Sequence, residues 1–213
     1  MRKIGQNNIT GVIHCISGLR VGGSDDLLQI GGTDLTCIKN PVTLQPYIPG
    51  SSIKGKMRSE LEKKLGKFGG RDGNEPCSCK NCLVCRIFGP HKEPHHNLGP
   101  TRIIVRDALL LEGGQLELKP ENIIDRKTGA AQHPRKVERV IADSKFGLKI
   151  GIQIWDLDDA ASYNDSTGGA ALVEFVKDGL REVSNTGLGS GVSKGSGEIE
   201  LLDLKLDGES FTL

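Results

Sequence analysis

Four cysteines crowded into nine positions constrain this chain more than any other feature. Cys77, Cys79, Cys82 and Cys85 form C-x-C-x2-C-x2-C inside a stretch, 66–100, rich in glycine, proline and histidine. That stretch holds too little apolar material for a core of its own, so something other than hydrophobic burial must fix it. Thiolates are soft ligands, and four of them suit tetrahedral zinc. The CLVC spacing is an ordinary metal knuckle, whereas CSC is tight, so His91, His95 or His96 stays open as a replacement for Cys77. A full thiolate shell leaves no position for water, which makes the expected zinc structural. The competing reading is four unligated buried thiols. A redox pair is disfavoured because no thioredoxin-like βαβ unit frames the cysteines. The crowding fits a reducing compartment better than a disulfide scaffold.

At 213 residues the chain can bury a real core without disulfides. Its first residues, MRKIGQNNIT, lack the apolar segment of a secretory signal, and no apolar run approaches the ~20 residues of a membrane helix. A soluble, cytoplasmic protein with no membrane partner is expected. The net charge of +1 hides two opposed blocks. Residues 50–71 carry seven bases against Glu60 and Glu62, and 156–182 carry seven acids against Lys177 and Arg181. A basic face for a polyanion and an acidic face for a basic neighbour follow, with the two blocks of adjacent copies as a candidate contact.

Apolar periodicity places the elements. Strands are expected at 9–16, 101–111, 145–156 and 198–206, with Phe146, Leu148, Ile150, Ile152 and Ile154 on one face of the third. A helix capped by Ser51 or Ser52 carries Ile53, Met57, Leu61 and Leu65 at i+4 and stops at Gly66; a second covers 169–183. Residues 66–100 read as an irregular insertion and 115–142 as an extended arm. Without these, the order is strand, helix, strand, strand, helix, strand, the ferredoxin-like order of an α+β fold.

Three features suit a polyanion. IPGSSIKGKMR sets Ser51, Ser52, Lys54, Lys56 and Arg58 at a helix N-terminus, where orphan N–H groups and the helix dipole favour an anion. The bases conflict with that dipole unless a phosphate binds there. The loop GLGSGVSKGSG offers Gly189, Gly191 and Lys194, and glycine backbone can approach phosphate closely. It is not a P-loop, since the lysine pattern differs and a strand follows. Over 126–139 the arm carries Arg126, Lys127, Arg135, Lys136 and Arg139 against Glu138, and no aromatic residue. Such an arm grips backbone rather than reading bases. Asp34, in QIGGTDLTC, taken alone reads as a turn aspartate.

Taken together, ISGLRVGGSDD, QIGGTDLTCIKNPVTLQPYIPGSSIKGKMR, CLVCRIFG, GPTRIIVRDALL, ENIIDRKTGAAQHPRKVERV and GLGSGVSKGSGEIE cover nearly the whole chain. In that order they resemble the backbone subunits of type III-A (Csm) CRISPR effector complexes, within the RAMP superfamily. The resemblance implies one RAMP domain, with core 1–65, 101–114 and 143–213, a zinc-bound insertion 66–100 and a thumb arm 115–142. It implies a filament of copies on a guide CRISPR RNA, beside other Csm subunits, whose thumbs each displace a base pair of the guide–target duplex. It also implies that Asp34 cuts complementary target RNA at regular intervals with magnesium or another divalent cation. The alternative is a non-catalytic guide-binding scaffold; a stand-alone zinc-dependent RNA-processing enzyme would need an open metal position. The chain departs from the family pattern at Arg20, where histidine is usual, at Asn40, where an aspartate is common, and at Lys194 and Ser196, where arginine and an aromatic residue are usual. Arg20 keeps a cation for the guide, and the lysine binds phosphate as a point charge without arginine's fork.

Overall fold

The structure, a computed structural model, describes residues 1–22 and 35–213. In chain order the elements are β1 (Lys3–Cys15), β2 (Tyr47–Ile48), α1 (Gly50–Leu65), β3 (Phe68–Gly69), β4 (Glu75–Pro76), α2 (Leu83–Phe88), β5 (Ile103–Val105) and β6 (Ala108–Glu112). There follow β7 (Leu116–Ile124), β8 (Ala131–Val140), β9 (Lys145–Trp155), β10 (Ser162–Tyr163), β11 (Ser166–Thr167), α3 (Gly168–Thr186), β12 (Ile199–Leu206) and β13 (Glu209–Ser210).

An antiparallel sheet ordered β13-β12-β1-β9-β6-β2, with β5 also on β9, forms the centre. β1 is its spine, paired with β9 from Lys3↔Trp155 to His14↔Lys145 and with β12 from Ile9↔Leu206 to Cys15↔Ile199. The alternation of β9 comes out as its sequence requires: Phe146, Leu148, Ile150, Ile152 and Ile154 are buried while Lys149 is exposed. They join one core with Ile53, Met57 and Leu61 of α1 and Leu172, Phe175, Val176 and Leu180 of α3. The two helices meet closely at Gly179, where a Cβ would lie 2.4 Å from Met57 Cγ.

Several expectations change. Ser51 and Ser52 do not cap α1; the Gly50 N–H donates to Asp107 Oδ1 at 2.8 Å, so a distant carboxylate already answers the helix dipole. The expected strand 101–111 splits into β5 and β6 at Arg106–Asp107, where Asp107 turns to that cap. Leu65 continues the i+4 series but is exposed. The stop at Gly66 holds, with φ 60° and its N–H on Glu62 and Lys63 carbonyls. The insertion is not wholly irregular, since it contains the β3–β4 pair and α2. The arm is an antiparallel hairpin, with β7 and β8 in register from Leu116↔Val140 to Ile124↔Ala131.

The opposed charge blocks touch within the chain at Lys64. Lys64 Nζ lies 2.8 Å from both Asp178 Oδ1 and Glu182 Oε1, joining α1 to α3. Asp158 is wholly interior, held by Arg102 and Arg86. Asp158 therefore takes no part in any inter-copy contact, whereas Asp156, Asp159 and Asp165 of the same block are exposed. Among the described residues, no helix is long and apolar enough to cross a membrane.

Candidate functional sites

The four sulfurs of Cys77, Cys79, Cys82 and Cys85 lie within 4.8 Å of one another. Cys77–Cys82, Cys79–Cys85 and Cys77–Cys85 are 3.8, 3.9 and 3.7 Å apart, sulfur to sulfur. Tetrahedral zinc with Zn–S of ~2.3 Å would set its sulfurs ~3.8 Å apart, so the donor set fits such an ion. All four thiols converge, and no histidine is needed. His91 touches the cluster only through its backbone N–H on the Cys77 carbonyl, and His96 Nδ1 accepts the Leu98 N–H. The local fold that brings them together is a left-handed turn at Lys80 (φ 61°), then Cys82 capping α2 by accepting the Cys85 N–H at 3.4 Å. Burial opposes charge on Cys79, but hydrogen bonds from the Asn81 N–H and neighbouring thiols outweigh it and its pKa falls to about 7. Burial pushes Cys82 up to about 11, and Cys15 and Cys37 outside the cluster up to about 12 and about 11. Those last two stay protonated packing residues.

A second assembly joins three segments distant in sequence. Gly189 has φ +79°, and a Cβ there would lie 2.3 Å from the Arg20 carbonyl oxygen. That approach lets the Ser190 N–H donate to Arg20 O at 2.9 Å while Arg20 Nη1 donates to Ser190 Oγ at 2.9 Å. Arg20 Nε is buried and has no partner among the described residues. Gly191 and Gly195 are also left-handed, and Lys194 between them is exposed. From the hairpin root, Arg139 Nη1 donates to Ser196 Oγ at 3.1 Å and Lys119 Nζ to Lys194 O at 2.7 Å. Lys119 was missed because a single lysine in a polar strand gives no sequence signal.

The remaining cations divide. Lys54 is half-buried; burial and then the nearby Arg58 lower its pKa, and it has no ion-pair partner among the described residues. Ser51 and Ser52 lie beside it in the first turn of α1. Lys56 is paired with Glu60 and Arg58 with Glu62, each at 2.8 Å, so these two are engaged within the fold. On the hairpin, Arg135 pairs with Glu121 at 2.9 Å and Arg139 with Glu117 at 2.6 Å, whereas Arg126 and Lys127 stand exposed at the tip. Asp34 lies outside the described residues. The residues just after it are fastened to β8: the Glu138 N–H donates to Leu35 O, and its carboxylate accepts from the Cys37 N–H at 2.9 Å and Lys39 Nζ at 3.1 Å. Asn40 accepts the Val42 and Thr43 N–H groups, so it closes a turn.

Residues 12–200 match the family model of the RAMP superfamily. The CRISPR system Cms endoribonuclease Csm3 of Methanothermobacter thermautotrophicus is 39% identical over 93% of this chain and 84% of its own. The protein of the same name from Methanocaldococcus jannaschii is 36% identical over 93% and 79%. Among solved structures, the Csm3–Csm4 subcomplex of the type III-A CRISPR–Cas interference complex aligns with a TM-score of 0.59 at 26% identity, over 97% of this chain and 80% of that one. The type III-B Cmr-beta complex bound to cognate target RNA shares the fold, with a TM-score of 0.63 at 19% identity over 94% and 60%.

Proposed function

Since this chain belongs to the RAMP superfamily, we infer that it is a backbone subunit of a type III CRISPR effector, an endoribonuclease that cuts guide-complementary target RNA. It works beside other Csm subunits and further copies of itself, on guide CRISPR RNA and target RNA, in the cytoplasm. The observation that carries this reading is the meeting of Arg20, the glycine loop and the hairpin root, which builds a cationic, glycine-lined surface out of three distant segments. Such a surface suits a phosphate backbone and offers nothing to base edges. Base pairing to the guide supplies the sequence specificity.

Arg20, Gly189, Gly191 and Lys194 take guide phosphates, with Ser51, Ser52 and Lys54 at the start of α1. The exposed Arg126 and Lys127 lead the thumb hairpin across the duplex. A nucleotide splayed by the thumb turns its own 2′-hydroxyl, the nucleophile the reaction needs, in line with the adjacent phosphorus; the new P–O2′ bond closes a 2′,3′-cyclic phosphate as the P–O5′ bond breaks and the 5′-oxygen leaves with a proton. Asp34 serves that hydroxyl, as base or as ligand to a divalent cation such as magnesium. Among the described residues no group of three metal-binding side chains other than the cysteine cluster is present, so no ligand set is assigned to that cation. The cysteine cluster holds structural zinc, a reading supported by the sulfur spacing. The strand order β12-β1-β9-β6 with two helices on one face supports a ferredoxin-like core, with 66–100 and 115–142 as its insertion and thumb.

The test is incubation of the assembled complex with guide-complementary RNA, with and without chelator. Asp34→Ala should abolish cutting and leave guide and target binding nearly unchanged. Undiminished cutting by that variant would sink the catalytic assignment and leave a scaffold.

A further inference from the structure

Helix α1 holds the backbone N–H and the backbone carbonyl of one metal-site cysteine. Glu62 Oε1 accepts the Cys77 N–H at 2.8 Å, and Arg58 Nη2 donates to the Cys77 carbonyl at 2.9 Å. The two side chains are also joined to each other, Arg58 Nε to Glu62 Oε1 at 2.8 Å, and are only 17% and 7% exposed. Hydrogen bonds to charged groups in so dry a setting are strong, and leaving either group unpaired is costly. Glu62 therefore keeps its full set of partners only while Cys77 sits in place. Val84, Ile87, Phe88 and Leu98 anchor the later part of the insertion in the core, whereas residues 70–82 carry no large apolar side chain besides their cysteines, so the convergence of the four sulfurs is what fixes Cys77. One turn earlier on the same helix lies Lys54, half-buried and without an ion-pair partner among the described residues, and before it Ser51 and Ser52.

We propose that the Arg58–Glu62 pair is a positioning device that couples metal occupancy of the cysteine site to RNA binding at the first turn of α1. This rests on the zinc and RNA readings above. With metal bound, Cys77 is fixed, Arg58 and Glu62 are locked on its backbone, and α1 presents its first turn in one place. Without metal the segment around Cys77 loses its staple, the carboxylate loses the Cys77 N–H, and the helix loses that anchor. Arg58 is thereby a rivet between insertion and helix rather than a phosphate contact. Coupling of this kind is reciprocal, so RNA must tighten metal binding by the factor by which metal tightens RNA binding.

The experiment uses the full chain, cobalt(II) as the spectroscopic probe of a tetrathiolate site, zinc as its competitor, and single-stranded RNA of fixed length. Zinc affinity is measured with and without saturating RNA, and RNA affinity with and without zinc. Both ratios should agree and fall between about 5 and 150. In the Arg58→Met, Glu62→Gln double variant the ratio should drop to about one, while the tetrathiolate cobalt spectrum persists. Arg58→Lys should restore only part of it, because an ammonium lacks the planar fork that serves Glu62 and the carbonyl together. A ratio of one in the unaltered chain, with metal and RNA both bound, overturns the coupling and leaves the zinc and RNA readings standing. Failure to bind metal, or RNA, overturns the corresponding reading and the coupling with it. Should the double variant fail to fold, Arg58→Lys decides in its place, and a ratio equal to that of the unaltered chain in either variant overturns the role of the pair.

Discussion

Replacing Asp158 with alanine should strongly destabilise the protein, although it lies in a block that reads as a surface of acids. The Asp158 carboxylate is 1% exposed and faces Arg102, whose side chain is wholly buried. Arg102 Nε reaches both Asp158 oxygens at 3.1 and 2.9 Å, Nη2 reaches Oδ1 at 2.8 Å, and Arg86 Nη1 from α2 reaches Oδ1 at 3.0 Å. The Trp155 N–H completes the shell on Oδ2 at 2.9 Å. Removing the carboxylate leaves a guanidinium in the interior without a counter-ion, which costs about 3–5 kcal/mol. For a chain of this size that lowers the melting temperature by about 6–20 °C. Replacing both partners, Asp158→Leu with Arg102→Met, should recover most of the loss, since apolar groups of similar size need no partner. The assay is urea unfolding followed by fluorescence of Trp155, the single tryptophan, whose backbone touches the carboxylate. pH gives an independent check. Burial alone would raise the Asp158 pKa, but the Arg102, Trp155 and Arg86 hydrogen bonds hold it below the usual carboxylate range. The carboxylate's contribution is thus present at neutral pH and is lost as pH falls through that depressed value, where the parent and Asp158→Ala should converge. A loss under about 1 kcal/mol at neutral pH would refute the reasoning, because it would mean that Arg102 finds water or another partner.

Three further outcomes are expected. Protein prepared without chelator should carry about one zinc per chain by elemental analysis, and Cys77→Ser should lower occupancy; retention of full occupancy would reinstate a histidine as fourth ligand. Gly189→Ala should cost about 1–3 kcal/mol in urea unfolding and weaken RNA binding, through both its left-handed φ and the 2.3 Å approach to Arg20 O; Gly129→Ala at the open thumb tip, with φ +69° and nothing within 4 Å, should cost less and serves as the control for strain alone. Lys54→Ala should flatten the salt dependence of single-strand RNA binding by about 0.7, equally for every sequence, whereas Lys56→Ala, whose ammonium already sits on Glu60, should leave the slope unchanged.

How much was legible in the sequence follows from the range of the forces involved. The buried face of β9 and the Ile53, Met57, Leu61 stripe of α1 are set by alternation and by i+4 spacing within a few residues, so the sequence shows them directly. The cysteine cluster is legible for the same reason, because its ligands come from one short segment. The cap of α1 was not legible: Asp107 stands 57 positions away from the Gly50 N–H, while Ser51 and Ser52 are adjacent and chemically suitable. The arm reads as extended rather than as a hairpin because 115–142 is polar and basic, with Gly129 and Pro134, and in the fold its Leu118, Ile123 and Ile124 stay exposed. The charge blocks misled in a different way. Counting gives the sign of a segment but not its neighbour, and Lys64 finds Asp178 across 114 residues.

That internal pairing bears on how the protein can hold RNA at all. Of the cations the sequence offers to phosphate, Lys56, Arg58, Arg135 and Arg139 are taken by Glu60, Glu62, Glu121 and Glu117. Arg20, Lys54, Arg126, Lys127 and Lys194 have no ion-pair partner among the described residues. If each of these neutralises one phosphate, the slope of log affinity against log salt is about −3.5 per chain, so a fourfold rise in salt weakens one copy about a hundredfold. Proteins that make ~6–10 phosphate contacts lose about a thousandfold or more over such a range, so a single copy is a modest binder. Tight retention of a strand must then come from several copies on one RNA, each adding its few contacts at high effective concentration. A chain that keeps half its bases in internal pairs is suited to repetition along a guide, and poorly suited to gripping RNA alone.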